Sequence, residues 1–289
     1  MMLACQGELV IVPDNTAPDY SEVPTLKIKN YVNRMSIDLL GREPVDAEMD
    51  AWVNELKAGD LHKDARLLLV RRMMEDTSFV EGDSSYSIAY YNRFYDLMKV
   101  RFLEGAGEDI LVQRRALKAF DAERDSLNGN WAGYQIARFE MQKLENVMNS
   151  RINYRKGRIS LFDMAGYMVY NSVYDEINMN SINFIRATFN DLFFRYHTQD
   201  EFDRAFQIIE FSQPAIIFGK SAGNKLEYID VLTGSRECYE AMIRWAYQGL
   251  LAREPSAEEV TVLMDDFFQT GNYQMVQQHI LVSDEYARF

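Results

Sequence analysis

From residue 26 onward, apolar side chains recur three and four positions apart, the spacing that puts them on one side of an α-helix. Tyr31, Met35 and Leu39 form one such face, and Ile136, Phe139, Leu144 and Val147 form another with the drift expected of a 3.6-residue period. No convincing series of period-two strands interrupts this pattern. One stretch, Leu226 to Leu232, is bracketed by Gly219, Gly223 and Gly234 and reads as a short strand. Only three of the six prolines lie beyond residue 25, so helix breakers are sparse. The pattern predicts an all-α fold of repeated helical hairpins packed with a long antiparallel helical insert.

Self-comparison sharpens the hairpins. Leu39-Leu40-Gly41-Arg42-Glu43-Pro44-Val45-Asp46-Ala47-Glu48 aligns with Leu250-Leu251-Ala252-Arg253-Glu254-Pro255-Ser256-Ala257-Glu258-Glu259 at a constant offset of 211. The apolar pairs Met49/Val260, Trp52/Leu263, Val53/Met264 and Leu56/Phe267 keep that offset. Pro44 and Pro255 disfavour helix in the residue before them, and Ser256 with Glu259 has capping-box spacing, so each copy reads as helix, tight turn, helix. A turn follows in both copies, at Gly59-Asp60 and Gly271-Asn272, then a further helix and a Ser/Thr-acidic-aromatic close. A weaker third copy sits 153 residues after the first, with Arg195 and Glu201 again six apart, Thr198 in the cap position and His197 in place of the proline. Between the first and third copies lies a polar helical segment, broken near Asn128-Gly129-Asn130, that predicts a long helical pair. The expected organisation is a tether over 1–25, a helical repeat over 26–105, the hairpin insert over 106–158, a divergent repeat with an irregular loop over 159–235, and a last repeat over 236–289.

The Leu-Gly-Arg-Glu-Pro turn, the helix containing Trp52, the Gly59 turn and the Ser/Thr-acidic-aromatic close resemble a helical domain of unknown function repeated in bacterial secreted and surface proteins. They are also similar to the N-terminal helical domain of large envelope proteins of planctomycetes and Bacteroidota. The first and last copies carry the resemblance, about a third of the chain. It implies a packing module rather than a reaction, and without a Cys-x-x-Cys-His run it implies no haem and no electron transfer.

The N-terminus points to an address. Met1-Met2-Leu3-Ala4-Cys5-Gln6-Gly7-Glu8 resembles the end of a bacterial lipoprotein signal peptide, in which the cysteine becomes the lipid-bearing first residue. The apolar run before Cys5 is shorter than a signal h-region of about 7–15 residues, so the expectation is that Met1 lies inside a longer signal peptide. Pro13, Pro18 and Pro24, set among Asp14, Asn15, Asp19, Ser21 and Glu22, predict an extended tether behind that anchor. The alternatives are an ordinary N-terminus with a stray cysteine and a Cys5–Cys238 disulfide. The anchor implies a bacterial outer-membrane lipoprotein facing the periplasm or the cell surface, with Cys238 buried in the apolar run of a helix. Its expected partners are an outer-membrane protein complex, a β-barrel or other lipoproteins, and the membrane through the lipid.

Charge narrows the partners further. The 289 residues carry 31 Lys and Arg against 44 Asp and Glu, a formal charge of −13, which argues against nucleic acid and against attraction to anionic lipid. Three histidines and two cysteines leave little for metal chemistry, and His62, His197 and His279 fall in different hairpins. No metal or organic cofactor is expected. The repeated charges Arg42, Arg195 and Arg253 with Glu48, Glu201 and Glu259 read either as ligand-binding ion pairs or as turn fixtures, each Arg tying down helix-end carbonyls while each Glu caps the next helix. Recurrence at the same turn favours the second reading. Glu140, Glu145, Asp163, Asp175 and Glu176 offer carboxylate pairs of the kind glycoside hydrolysis uses, although a chain with 44 acids produces such pairs by default. Tyr86, Tyr90, Tyr91, Phe94 and Tyr95, and the second cluster Tyr167, Tyr170 and Tyr174, read mostly as core. Tyr90, Tyr91, Tyr95, Tyr170 and Tyr174 are the candidate interface residues, and Asn171, Asn178, Asn180 and Asn183 read as a polar rim or as a glycan-contacting surface, the few tryptophans favouring core or protein interface over glycan. Residues 205–235, the most irregular, are the expected functional loop. The functional expectation is a non-enzymatic, lipid-anchored accessory or scaffold subunit of an outer-membrane complex; the alternative is a carbohydrate-binding or carbohydrate-active envelope lipoprotein.

Overall fold

The Tyr31, Met35 and Leu39 face is buried along α1 (Thr25–Leu40), where Ile28 and Val32 complete it. The helix ends at Gly41, which takes φ of 76° and closes the last turn by donating its N–H to the Ile37 carbonyl. A Cβ at Gly41 would also meet Arg93 Cδ at 3.1 Å, so both backbone and space favour glycine there. The chain then packs back as α2 (Asp46–Ala58) and α3 (Lys63–Glu75). The computed structural model describes residues 19–289, so Cys5 and most of the expected tether lie outside the described residues.

Helix α4 (Tyr86–Phe102) is the hub, packing on α1 and α3 and burying Tyr90, Phe94, Tyr95, Met98 and Phe102. Helices α5 (Glu108–Leu127) and α6 (Trp131–Arg155) form the long pair, turning at 128–130, where the Asn130 side chain accepts from Gly133 N and starts α6. The face written as Ile136, Phe139, Leu144 and Val147 divides. Leu144 and Val147 join the core, whereas Ile136 and Phe139 are exposed: toward its N-terminal end α6 packs on α5 through Ala137 and Met141, and Phe139 meets the body at the Tyr170 ring.

The second half runs α7 (Leu161–Val169), α8 (Ser172–Asn178), α9 (Ser181–Phe193) and α10 (Gln199–Phe211), then a hairpin of β1 (Ala215–Ile217) and β2 (Lys220–Ala222). It continues through α11 (Lys225–Thr233), α12 (Arg236–Leu251), α13 (Ala257–Thr270), α14 (Tyr273–Leu281) and α15 (Asp284–Ala287). The fold is all-α, built of packed helix pairs, with that hairpin the one sheet among the described residues. The expected strand at Leu226–Leu232 is instead α11. Asn224 caps it by accepting from Glu227 N, and Tyr228, Ile229, Val231 and Leu232 are buried at helical spacing. The strands lie upstream, in register Ala215 to Ala222, joined through Phe218 and Gly219, both at positive φ as a two-residue hairpin turn requires.

One continuous core runs from Ile28 to Ala287, and the two chain ends share it. Arg66 is 0% exposed and holds them together. Its guanidinium donates to the carbonyls of Leu61 and Val282, each at 2.8 Å, and to Tyr20 Oη and Asp284 Oδ1 at 2.8 and 2.7 Å. Tyr31 Oη donates to the Leu281 carbonyl, Tyr286 Oη to Asp38 and Tyr90 Oη to Gln277. No helix among the described residues is long and apolar enough to cross a membrane.

Candidate functional site

Each Arg-Glu turn folds into the same clasp. The helix before it ends in a left-handed residue, Gly41, Phe194 or Ala252, whose N–H closes the last turn. The arginine that follows grips the glutamate six residues on with both terminal nitrogens: Arg42 to Glu48 at 2.7 and 2.8 Å, and Arg195 to Glu201 and Arg253 to Glu259 each at 2.7 and 2.9 Å. The glutamate in turn accepts the N–H of Val45, Thr198 or Ser256, which starts the next helix. Thr198 and Ser256 complete full capping boxes, and Val45, with no side-chain acceptor, supports only half of one.

The expectation that each arginine ties down the end of the preceding helix needs correction. It donates to a single carbonyl, that of the residue just after it, Glu43, Tyr196 or Glu254. The helix end is already closed by the left-handed residue, so the remaining donors reach a second carboxylate: Asp83, Glu237 or Glu285. Those three acids sit beside Ser85, Ser235 and Ser283, the N-caps of α4, α12 and α15, so each clasp joins three helices rather than two. The Arg195 and Arg253 hydrogen bonds hold the carboxyls of Glu201 and Glu259 down to about 2. A hollow of about 550 Å³ opens beside Arg195, yet its guanidinium groups are engaged, Arg236 by Asp265 and Arg244 by Glu240. These ion pairs are fixtures of the turns. Pro255 is buried under its clasp, and His197, in the matching position, packs its ring 4.9 Å from Phe202 and 5.8 Å from Phe189.

The candidate interface tyrosines separate by depth. Tyr90, Tyr95 and Tyr174 are core, their hydroxyls bonded to Gln277, Glu108 and Asp191, so they present no surface to a partner. Tyr91 is half-buried against Tyr154, and Tyr170 is half-buried at the surface. The asparagine rim is largely a set of helix fixtures. Asn171 is fully buried, accepting from Val173 N and Tyr174 N while donating to the carbonyls of Tyr167 and Met168, and Asn180 caps α9. The five candidate acids are also engaged: Glu140 by Lys143, Glu145 by Arg115, Asp175 by Lys225, Glu176 by Arg114, and Asp163 by the Ser160 capping box. His62 stands at the N-cap position of α3 without a side-chain capping bond, His279 lies in α14, and no metal-binding group is assembled among the described residues. Burial pushes the Cys238 thiol up to about 12, so it is an inert core residue.

Two features combine exposed aromatic or apolar side chains with a distinct setting in the fold. The first is a groove of about 220 Å³ between α6, α7 and α11, with Phe139 and Lys143 on one wall, Tyr167, Tyr170 and Asp163 on the second, and Ile229 and Asp230 on the third. Asn171 sets the two tyrosines by pinning the end of α7 to the start of α8. Lys143 Nζ lies 2.7 Å from Glu140 and 4.6 Å from the Tyr170 ring centre. Burial, then the charges of Asp163 and Glu227, raise the Asp230 carboxyl above its ordinary range. Asp230 and Lys143 carried no sequence signal and Phe139 only that of a helix face, since only the packing of three helices brings them together.

The second feature is the outer part of the α5–α6 pair. Its base is tied to the body by Tyr95 Oη to Glu108 at 3.1 Å and by Arg114 to Glu176 at 2.6 Å. Farther out the two helices share only a small core of Ala122, Ala137 and Met141, separate from the main one. Eight of the 23 exposed large apolar side chains among the described residues fall between Ile110 and Phe139, a concentration unmatched elsewhere. Phe120 is 64% exposed, Leu127 81% and Trp131 63%. Comparison of the chain with protein-family models, with curated proteins and with solved structures gives no match.

Proposed function

We propose that the chain is a non-enzymatic, lipid-anchored accessory or scaffold subunit of a bacterial outer-membrane protein complex, and that the α5–α6 arm meets its partner. The observation that carries this reading is the arm itself: a helical pair with a minimal core of its own that holds Phe120, Leu127, Trp131 and Ile136 in solvent. A soluble monomer rarely concentrates apolar surface in this way, and aromatic residues are enriched at the centre of protein interfaces. Charge selects the kind of partner. Residues 108–156 hold nine Lys or Arg against seven Asp or Glu, so the arm is close to neutral while the rest of the chain is strongly acidic. Near the tip Asp121, Glu123 and Asp125 flank Arg124, which gives no net positive face for anionic lipid. The occupant is therefore an apolar protein surface, supplied by a β-barrel or another lipoprotein, and the clasped repeats form the frame that carries the arm.

The address rests on Cys5 and the proline-rich segment behind it. Labelling with a palmitate analogue tests it: wild type incorporates label and Cys5→Ser does not, whereas equal labelling of the two refutes the anchor. Co-purification from detergent-solubilised outer membranes tests the scaffold role. Recovery with a stoichiometric membrane-protein partner supports it, and recovery as a lone monomer contradicts it.

A further inference from the structure

We propose that the groove between α6, α7 and α11 is a binding site for an organic cation, an ammonium or guanidinium group carried on an apolar stem. The walls supply both halves of such a ligand's needs. Phe139, Tyr167, Tyr170 and Leu226 offer apolar and aromatic surface, and the carboxylates of Asp163 and Asp230 stand on facing helices. Asp163 spends one oxygen, Oδ2, on Ser160, and no described residue donates a hydrogen bond to the Asp230 carboxylate. Lys143 is the one basic residue lining the cavity, and Glu140 already neutralises it. The groove thus keeps uncompensated negative charge beside aromatic faces.

The lysine shows how the site treats a cation. Its ammonium rests 4.6 Å from the Tyr170 ring centre and 5.5 Å from that of Phe139, the arrangement in which a ring quadrupole attracts positive charge. A second cation entering from solvent would meet Asp230 and Asp163 first and seat its stem on Tyr167 and Leu226. A neutral sugar could stack on the same rings but would leave the carboxylates unpaired. An anion would be repelled. The volume suits one aromatic or alkyl stem rather than a long chain. Two sources present this chemistry, a free amine and an Arg or Lys side chain of a bound protein.

The test uses the purified full chain, so it is independent of whether the arm finds its membrane partner. Phenethylammonium, neutral 2-phenylethanol and anionic 3-phenylpropionate are titrated while tyrosine-ring NMR signals are followed, alongside an Arg-Phe peptide and its uncharged citrulline counterpart. We expect the ammonium probe to shift the Tyr167 and Tyr170 signals and the alcohol to bind about tenfold more weakly, the anion not at all. Asp230→Asn, at a carboxylate that accepts no hydrogen bond from a described residue, is expected to weaken the ammonium probe about threefold to tenfold without lowering the melting temperature. An arginine peptide that binds more tightly than the free amine, and loses that advantage as citrulline, assigns the site to a protein side chain; the reverse order assigns it to a small amine. Equal binding of alcohol and amine, insensitivity to Asp230→Asn, or displacement of the probe by neutral oligosaccharides overturns the proposal.

Discussion

The clasped helical units and the α5–α6 arm are both helical pairs, yet they are held by different forces. In the units, each Arg-Glu turn is fixed three times over: by a left-handed residue, by a two-pronged Arg-Glu pair and by a second acid at the start of a third helix. Their apolar faces are consumed by one core that also joins the chain ends. In the arm, the buried contribution shrinks to Ala122, Ala137 and Met141 beyond the base, while larger side chains face water. Burial stabilises by about 25 cal/mol per Å² of apolar surface, so the arm forgoes stabilisation that its own sequence could supply if it folded back. The contrast separates residues that hold the fold from residues that await something.

The largest expected effect breaks the first half of that contrast. Arg66→Ala removes a fully buried guanidinium and leaves the Leu61 and Val282 carbonyls without donors, for a loss of about 3 kcal/mol measured by denaturant unfolding. Because Arg66 links the ends, the variant should unfold in a single transition at lower denaturant. A loss under about 0.5 kcal/mol, the size of an ordinary surface substitution, would mean that the two ends do not share a core.

A smaller effect concerns the clasps. Glu201 and Glu259 are held near 2 in the folded chain against an ordinary value of 4.5, so they release protons more readily folded than unfolded. Their contribution is fully present above 4.5 and is lost as pH falls toward 2. Asp38 and Asp191, raised by burial, act with the opposite sign, so the clasp contribution is read by comparison with a variant. Glu259→Gln should cost about 0.5–1 kcal/mol at pH 7, with the difference from wild type vanishing at acid pH. A difference that stays constant with pH would contradict the ion-pair account. The arm lies at the small end of this scale, since replacing Leu127 or Trp131 by a polar residue should change stability by no more than about 0.5 kcal/mol.

How much of this was legible in the sequence follows from distance along the chain. The Arg-Glu pairs are six residues apart and the caps three, so composition and spacing expose them. Asp83, Glu237 and Glu285 lie 41, 42 and 32 residues from their arginines and become visible only when the closing helix docks. Leu226–Leu232 was misread because a short apolar run between glycines suits a buried helix as well as a strand, and the Asn224 cap decides it. Tyr90, Tyr95 and Tyr174 looked like interface residues because a tyrosine's polar tip is compatible with both settings; their buried partners settle the matter. The groove was invisible, because Lys143, Asp163 and Asp230 belong to three helices with no common local motif.

The central claim is that the arm, and not the clasped frame, meets the partner. Its most direct test compares co-purification from detergent-solubilised outer membranes for wild type, Leu127→Glu/Trp131→Glu and Glu259→Gln. The account predicts that the arm variant keeps its wild-type melting temperature and loses the partner, while Glu259→Gln melts lower and keeps it. Retention of the partner by the arm variant, with loss in the clasp variant under conditions where it remains folded, would contradict it.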